Sequence, residues 1–190
     1  MSLDLIIGPM FSGKSTEIIR RIRLARIINK KVLVIKPKID NRYDDPKNTK
    51  VSITSHAYEK EECIVLELLE EIETSIHSYN VIIVDEGQFF PDLKKYVLKW
   101  VNEYMKEVIV GGLDGDYTRN PIGQMLDLIP QADNIIKLKS LCKNCNDGTY
   151  ALFSMRKKNN NINILDTQIK IGGDDLYIPL CRKHYNTYDI

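Results

Sequence analysis

A phosphate-binding loop near the N-terminus constrains the fold of this chain more than any other feature. The stretch Gly8-Pro9-Met10-Phe11-Ser12-Gly13-Lys14-Ser15-Thr16 fits the pattern G-x-x-x-x-G-K-[ST]. An apolar run at residues 3–7 precedes it, and residues 17–25 carry apolar side chains at helical spacing. Strand, glycine loop and helix in this order predict a parallel α/β sheet that binds a nucleoside triphosphate.

The residue types of the loop explain that chemistry. Gly8 and Gly13 let consecutive backbone N–H groups turn toward one anion, and the helix N-terminus adds partial positive charge. Lys14 is expected to reach the β- and γ-phosphates, and the hydroxyl of Ser15 is expected to bind Mg²⁺.

Length and composition limit the remaining possibilities. The 190 residues, 43% of them hydrophobic, allow one domain or a larger domain with a small appendage. A net charge of +1 gives no global electrostatic reason to bind nucleic acid or an anionic membrane. The apolar runs are too short to span a bilayer, and residues 1–4 leave no room for a signal peptide before the first strand. We therefore expect a cytoplasmic protein without nucleic-acid or membrane partners.

The periodicity of the sequence predicts further elements. A second strand at 31–37 completes a βαβ unit. The polar loop after it contains Asp40 and Arg42, which the residues alone favour as solvated surface charges. Cys63 is interpreted as a small, partly buried residue. The other predicted elements are a short strand at 51–56, an amphipathic helix at 61–77, a core helix at 92–104, and strands at 81–84, 107–110 and 135–138.

Two acidic residues follow the buried strand at 81–84. In open α/β sheets, ligands bind at the carboxyl ends of the strands, where Asp85 and Glu86 are expected to lie. The first acid of such a pair holds Mg²⁺ in phosphate-loop proteins, usually through water. Glu86 is then placed to accept a proton from an attacking hydroxyl or water.

The C-terminal quarter carries a predicted zinc site. Cys142 and Cys145 form one knuckle, Cys181 and His184 form the other, and together they make a tetrahedral Cys₃His set. Four protein ligands leave no open position, so the zinc is expected to be structural, contributing on the order of 10 kcal/mol to folding. We predict a zinc-ribbon-like subdomain at 142–190 beside a main domain at 1–141. Within it we expect a hairpin turn at 159–161, arms at 162–165 and 168–171, and a flexible loop at 172–175.

These motifs together resemble the type II thymidine kinase family of cytosolic, bacterial and poxviral enzymes. The resemblance covers essentially the whole chain. Its most specific parts are residues 8–16, Asp40-Asn41-Arg42-Tyr43, Asp85-Glu86-Gly87-Gln88-Phe89-Phe90, Leu113-Asp114-Gly115 and the paired knuckles. It implies an ATP:thymidine 5′-phosphotransferase whose zinc-held "lasso" loop closes over the nucleoside. Feedback inhibition by dTTP and a homotetramer are implied by the resemblance alone, and acceptance of deoxyuridine is left open.

The resemblance also implies roles for individual residues. Glu86 would be the general base on the 5′-hydroxyl. Asp40 and Arg42 would join the phosphate and metal site, which reverses the interpretation from the residues alone. The nucleotide and Mg²⁺ site would comprise residues 8–16 (Gly8, Pro9, Met10, Phe11, Ser12, Gly13, Lys14, Ser15 and Thr16) with Asp40, Arg42, Asp85 and Gln88. The nucleoside site would comprise Met10, Phe89, Leu113, Tyr117, Ile122, Arg156, Gly172 and Tyr177.

Three positions depart from the family pattern. His184 replaces the cysteine of some members, and both suit zinc. Ile122 stands where an aromatic residue often closes the pocket, which puts nucleoside preference in doubt. Ser154 stands where threonine is common, in a segment whose length differs from the usual one.

Two other functions compete with this interpretation. Another small phosphate-loop kinase or a water-using NTPase would turn over ATP without a nucleoside. A zinc-ribbon nucleic-acid-binding module with an ATP switch would need a basic face with interleaved aromatic residues. The zinc region mixes basic and acidic residues instead, with Asp174 and Asp175 adding negative charge.

Overall fold

A parallel β-sheet forms the centre of the protein. The computed structural model describes residues 1–40, 52–54, 60–157 and 168–188. In this part of the chain six strands lie in the order β5-β2-β6-β7-β1-β8, and every pairing between neighbours is parallel. They are β1 (Ser2–Ile7), β2 (Val32–Pro37), β5 (Ile64–Leu66), β6 (Val81–Val84), β7 (Glu107–Gly112) and β8 (Asn134–Lys137). The predicted α/β class is confirmed.

A helix covers each face of the sheet. Strand side chains alternate in direction, so β1 sends Leu3 and Leu5 to one face and Ile6 to the other. Helix α1 (Lys14–Ile27) packs on the face of Ile6, and helix α2 (Leu93–Asn102) packs on the opposite face. A parallel sheet is buried on both faces, which is why its strands read as continuous apolar runs.

The two strands of the predicted βαβ unit, β1 and β2, are not neighbours in the sheet. Strands β6 and β7 lie between β1 and β2. Because all of these strands are parallel, the segments that follow them emerge at the same edge. The phosphate-binding loop, the acidic pair and Leu113 are thereby brought together.

The predicted helix at 61–77 is wrong. The segment contains strands β4 (Lys60–Glu62) and β5, followed by 3₁₀ helices at Leu69–Ile72 and Ile76–Ser78. Strand β4 pairs antiparallel with β3 (Ser52–Thr54), within the predicted strand at 51–56.

Carboxylates cap the backbone at the start of the first 3₁₀ helix. The Glu71 carboxylate accepts the backbone N–H groups of Glu67 and Leu68, both at 2.8 Å. The Asp92 carboxylate accepts those of Leu69 and Glu70, at 3.2 and 3.1 Å. These bonds satisfy the backbone in short turns that an amphipathic pattern does not indicate.

The C-terminal region forms a second packed unit. Its elements are β9 (Ser140–Leu141), β10 (Tyr150–Ala151), β11 (Phe153–Arg156), β12 (Tyr177–Leu180) and helix α3 (Arg182–Asn186). β9 pairs antiparallel with β10, and β11 with β12. Residues 168–171, predicted as a hairpin arm, form no strand; the predicted turn at 159–161 and arm at 162–165 lie outside the described residues. Within the described ranges, no helix is long and apolar enough to cross a membrane.

We predict that Trp100→Ala lowers the free energy of unfolding by about 3–5 kcal/mol. Trp100 is fully buried in the cluster under α2, and its removal leaves a cavity that the sheet cannot fill. Urea denaturation measures the loss. The control Ile135→Ala, at a side chain that is 43% exposed, should cost less than about 1 kcal/mol. Equal losses in both variants would contradict this packing.

Candidate active site

The phosphate-binding loop has the backbone conformation that its glycines predict. Gly13 caps α1 with φ +85°, in the left-handed region. At Gly8 an added Cβ would lie 2.6 Å from the carbonyl oxygen of Leu138, so no side chain fits. The buried Nζ of Lys14 donates to the carbonyls of Pro9 and Gly8, at 2.8 and 3.2 Å. Its charge is thus held inside the curve of the loop.

The acidic pair lies at the end of β6, as predicted. Asp85 is buried, and its backbone N–H donates to the carbonyl of Ile35 in β2. One carboxylate oxygen of Asp85 accepts the backbone N–H of Glu86 at 3.0 Å. Glu86 itself has φ +51° and ψ +44°, a left-handed conformation that non-glycine residues rarely adopt. Such strained residues concentrate at functional sites.

A cleft opens beside these groups. Fifteen residues predicted for the nucleotide or nucleoside site line it: Met10, Phe11, Ser12, Gly13, Lys14, Ser15, Thr16, Glu86, Gln88, Phe89, Leu113, Tyr117, Ile122, Gly172 and Tyr177. The cleft therefore combines a phosphate-binding loop, a carboxylate and an apolar wall in one space.

The remaining predicted residues that the structure describes do not line this cleft. Gly8 and Pro9 hold Lys14 through their carbonyls. Asp40 is buried just beyond β2, where its N–H donates to the carbonyl of Pro37. Arg42 lies outside the described residues.

Arg156 connects Tyr117, in the wall of the cleft, to Gln168 and Tyr177. Its guanidinium carbon lies 3.9 Å from the centre of the Tyr117 ring, a cation–π contact. Its Nη2 lies 3.3 Å from both the carbonyl of Gln168 and the hydroxyl of Tyr177. The Tyr177 hydroxyl in turn donates to the carbonyl of Lys170 at 2.7 Å.

The pair formed by Asp116 and Gln168 was missed from the sequence. Both residues line the cleft, and Gln168 donates from Nε2 to Asp116 at 2.8 Å and to the carbonyl of Pro121 at 3.0 Å. The other oxygen of Asp116 accepts backbone N–H groups of Thr118 and Asn120. Residues so far apart in sequence leave no local pattern that links them.

These hydrogen bonds keep Asp116 ionised. Burial acts to raise its pKa, but bonds from Thr118, Gln168 and Asn120 outweigh burial and lower it below the ordinary 3.8. A lowered pKa means that the contribution of the carboxylate to stability is complete at neutral pH. That contribution is lost only as the pH falls through the folded-state value.

The two predicted zinc knuckles meet in space. Nδ1 of His184 lies 3.5, 3.2 and 3.5 Å from the sulfurs of Cys142, Cys145 and Cys181, and the last two sulfurs are 3.7 Å apart. Tetrahedral zinc, with bonds of about 2.3 Å to sulfur and 2.0–2.1 Å to nitrogen, places neighbouring ligand atoms about 3.5–3.8 Å apart. The donor set and its spacing therefore fit a zinc ion.

Backbone hydrogen bonds favour the thiolate form of Cys142. Burial acts to raise the pKa of the Cys142 thiol, but backbone hydrogen bonds, first that from Cys181, lower it to about 6. The N–H of Cys181 lies 3.2 Å from that sulfur. The thiolate is the form that binds metals.

Comparison with known proteins matches the chain to one family. Residues 1–185 match the family model described as thymidine kinase. Thymidine kinase a of Arabidopsis thaliana is 40% identical over 195 residues, covering 100% of this chain and 76% of that protein. The thymidine kinase of vaccinia virus (strain Western Reserve) is 40% identical over 184 residues, covering 96% of each. Thymidine kinase 1 of Dictyostelium discoideum is 38% identical, covering 97% of this chain and 78% of that protein.

We predict that Cys181→Ser abolishes zinc binding and lowers the thermal midpoint of unfolding, because the set loses one of its four donors. Metal analysis of the purified chain should give about one zinc per wild-type chain and much less in the variant. Cys63→Ser is the matched control, since Cys63 packs against the α1 cluster, away from the knuckles. Retention of zinc and midpoint by Cys181→Ser would contradict the site.

We predict that Asp116→Asn loosens residues 168–173, an arm of the chain that lines the cleft. The new amide would point N–H groups at the donor of Gln168, so the bond of 2.8 Å is lost. Hydrogen exchange at neutral pH, where Asp116 is ionised, should accelerate in peptides covering 168–173. Asp127→Asn makes the same change at an exposed position and should leave exchange unaltered. Unchanged exchange in both variants would show that this bond does not hold the arm.

Proposed function

Because this chain belongs to the thymidine kinase family, we propose that it transfers the γ-phosphate of ATP to the 5′-hydroxyl of thymidine. The products are dTMP, a DNA precursor formed by salvage, and ADP, and deoxyuridine is the expected second substrate. The observation that carries the proposal is the cleft, in which the phosphate-binding loop, the carboxylate of Glu86 and an apolar wall face one space.

Residues of the loop are proposed to hold the triphosphate. Backbone N–H groups of the loop would bind its oxygens, except at Pro9, which has none, and Met10, which donates to Ser154. Lys14 would neutralise charge on the β- and γ-phosphates. To do so, the Nζ of Lys14 would exchange the carbonyls of Pro9 and Gly8 for phosphate oxygens. Arg42 and Asp40 are proposed to complete this end of the site.

Oxygen donors near the loop suit Mg²⁺. Asp85 offers a buried carboxylate at the end of β6, and Ser15 offers a hydroxyl at the start of α1. Hard oxygen ligands of this kind are those that Mg²⁺ prefers. When bound, the ion would neutralise negative charge on the phosphate oxygens. Gln88, whose side chain contacts the Glu86 carboxylate, is proposed to belong to the same site.

Glu86 is proposed as the general base. Its carboxylate would accept the proton of the 5′-hydroxyl as that oxygen attacks the γ-phosphorus. The bond between this phosphorus and the bridging oxygen breaks, and ADP leaves with the electron pair. The transition state of such transfers is loose, so positioning and charge neutralisation supply most of the acceleration.

The apolar wall is proposed to select the nucleoside. Met10, Phe89, Leu113 and Ile122 offer apolar contacts for a pyrimidine, beside the Tyr117 ring that carries Arg156. The lasso residues Gly172 and Tyr177 would close over the base through backbone hydrogen bonds. A site that pairs the polar edge of thymine leaves donors unpaired with cytosine, which gives discrimination.

The C-terminal unit is proposed to be a separate subdomain at 142–190, beside a main domain at 1–141. Its Cys₃His set would hold a structural zinc, because all four tetrahedral positions are filled by the chain. Its own buried cluster includes Ala151, Leu180 and Tyr185. Zinc would stabilise a unit whose core is too small to fold unaided.

We further propose that the enzyme is a cytoplasmic homotetramer inhibited by dTTP, with no nucleic-acid or membrane partner. Family resemblance supports the tetramer and the feedback. The net charge of +1 supports the absence of a polyanionic partner.

We predict that Glu86→Gln lowers kcat for thymidine phosphorylation by ~10²–10⁴, because the carboxamide cannot accept the proton. The measurement is Mg-ATP-dependent phosphate transfer to thymidine, deoxyuridine, deoxycytidine and adenosine. Thymidine should react fastest, and the exposed control Glu103→Gln should match wild type. ATP hydrolysis that is independent of nucleoside, or full activity in Glu86→Gln, would overturn the assignment.

A further inference from the structure

The side chain of Gln88 bridges two parts of the cleft. Gln88 is 3% exposed and lies in the 3₁₀ helix at Gly87–Phe89. Its Nε2 donates to a carboxylate oxygen of Glu86 at 2.6 Å. Its Oε1 accepts the backbone N–H of Leu113 at 3.0 Å. One carboxamide therefore connects the carboxylate to the segment that follows β7.

The chemistry of Leu113 and Glu86 determines the orientation of the Gln88 carboxamide. The backbone N–H of Leu113 can only donate, so the group opposite it must be the oxygen. The NH₂ group must then point to Glu86 and requires an acceptor there. A carboxylate is such an acceptor, and a charge-assisted bond of this kind is about twice as strong as a neutral one.

Two glycine positions lie directly against Gln88. A Cβ on Gly112 would lie 2.5 Å from its side-chain Oε1, and one on Gly123 would lie 2.1 Å from its backbone carbonyl oxygen. Gly123 has φ +56°, which also favours glycine. The chain therefore packs closely against both the backbone and the carboxamide of Gln88.

Glu86 is thereby held at two points. Asp85 accepts its backbone N–H, which supports the left-handed backbone. Gln88 holds one oxygen of its carboxylate. Two polar contacts on a residue in a strained conformation are the kind of support that keeps a catalytic group in place.

We propose that Gln88 is a positioning residue. Its side chain orients the carboxylate of Glu86 and fixes the distance between that carboxylate and Leu113 in the apolar wall. The inference rests on the proposed function, because it takes Glu86 as the base and Leu113 as part of the wall. Gln88 acts through Glu86 and does not exchange a proton with substrate. Rigid placement matters because displacing a reacting group by 1 Å can cost about 10²-fold in rate.

A double-mutant cycle tests this role. Gln88→Met keeps the shape of the side chain but removes both hydrogen bonds. It should lower kcat about 10- to 100-fold while the KM for ATP stays within about twofold. In the Glu86→Gln background the same change should alter kcat by less than about threefold, since no base remains to be positioned. An equal fractional loss in both backgrounds would mean that Gln88 acts only through packing and would overturn the proposal.

Gln124→Met is the matched control. The Oε1 of Gln124 accepts the N–H of Lys94 at the start of α2, and Gln124 does not line the cleft. This variant should retain the kcat of wild type in both backgrounds. A loss like that of Gln88→Met would overturn the proposal, since it would show that any glutamine-to-methionine change here has the same effect.

A measurement without turnover separates this inference from the proposed function. In ¹H–¹⁵N spectra of the full chain, the Gln88 side-chain proton that faces Glu86 should resonate downfield and shift upfield in Glu86→Gln, while the Gln124 amide stays in place. An unmoved Gln88 signal would overturn the positioning role. If the signal moves and thymidine is not phosphorylated, Gln88 holds Glu86 and it is the proposed function that fails.

Discussion

Parallel pairing of the central strands is the constraint on which the cleft depends. Because β1, β6 and β7 run in one direction, the segments that follow them meet at one edge. That edge holds the phosphate-binding loop, the acidic pair and Leu113. Parallel pairing also requires cover on both faces, which α1 and α2 supply. The same strand direction thus determines the core and the place of the chemistry.

The C-terminal unit completes the cleft from the other side. The backbone N–H of Met10 donates to the buried hydroxyl of Ser154 at 2.9 Å, which joins β11 to the phosphate-binding loop. The hydroxyl of Tyr185 donates to the carbonyl of Tyr117 at 2.6 Å. Arg156 and Gln168 add the contacts to Tyr117 and Asp116. The unit that carries the Cys₃His set is therefore joined by a few hydrogen bonds to the phosphate-binding loop and to the cleft wall at Tyr117.

Features encoded by local patterns could be predicted from the sequence, and features that depend on distant partners could not. The phosphate-binding loop, the strand before Asp85 and the Cys₃His set each follow from residue types at fixed spacing. The helix predicted at 61–77 failed because residues 60–62 and 64–66 pair as strands with β3 and β2, which lie elsewhere in the sequence. The pair of Asp116 and Gln168 was missed for the same reason, since only the folded chain brings them together.

The left-handed backbone conformation of Glu86 lowers the stability of the fold at a position where the side chain is proposed to serve the reaction. A non-glycine residue there costs roughly 1–3 kcal/mol. Glycine or asparagine would adopt the same dihedral angles, φ +51° and ψ +44°, more readily. Selection for thermal tolerance alone would therefore replace the proposed base with a residue that has no carboxylate. If Glu86 is the base, as proposed, a variant that relieves the strain at position 86 in this way would be a less capable enzyme.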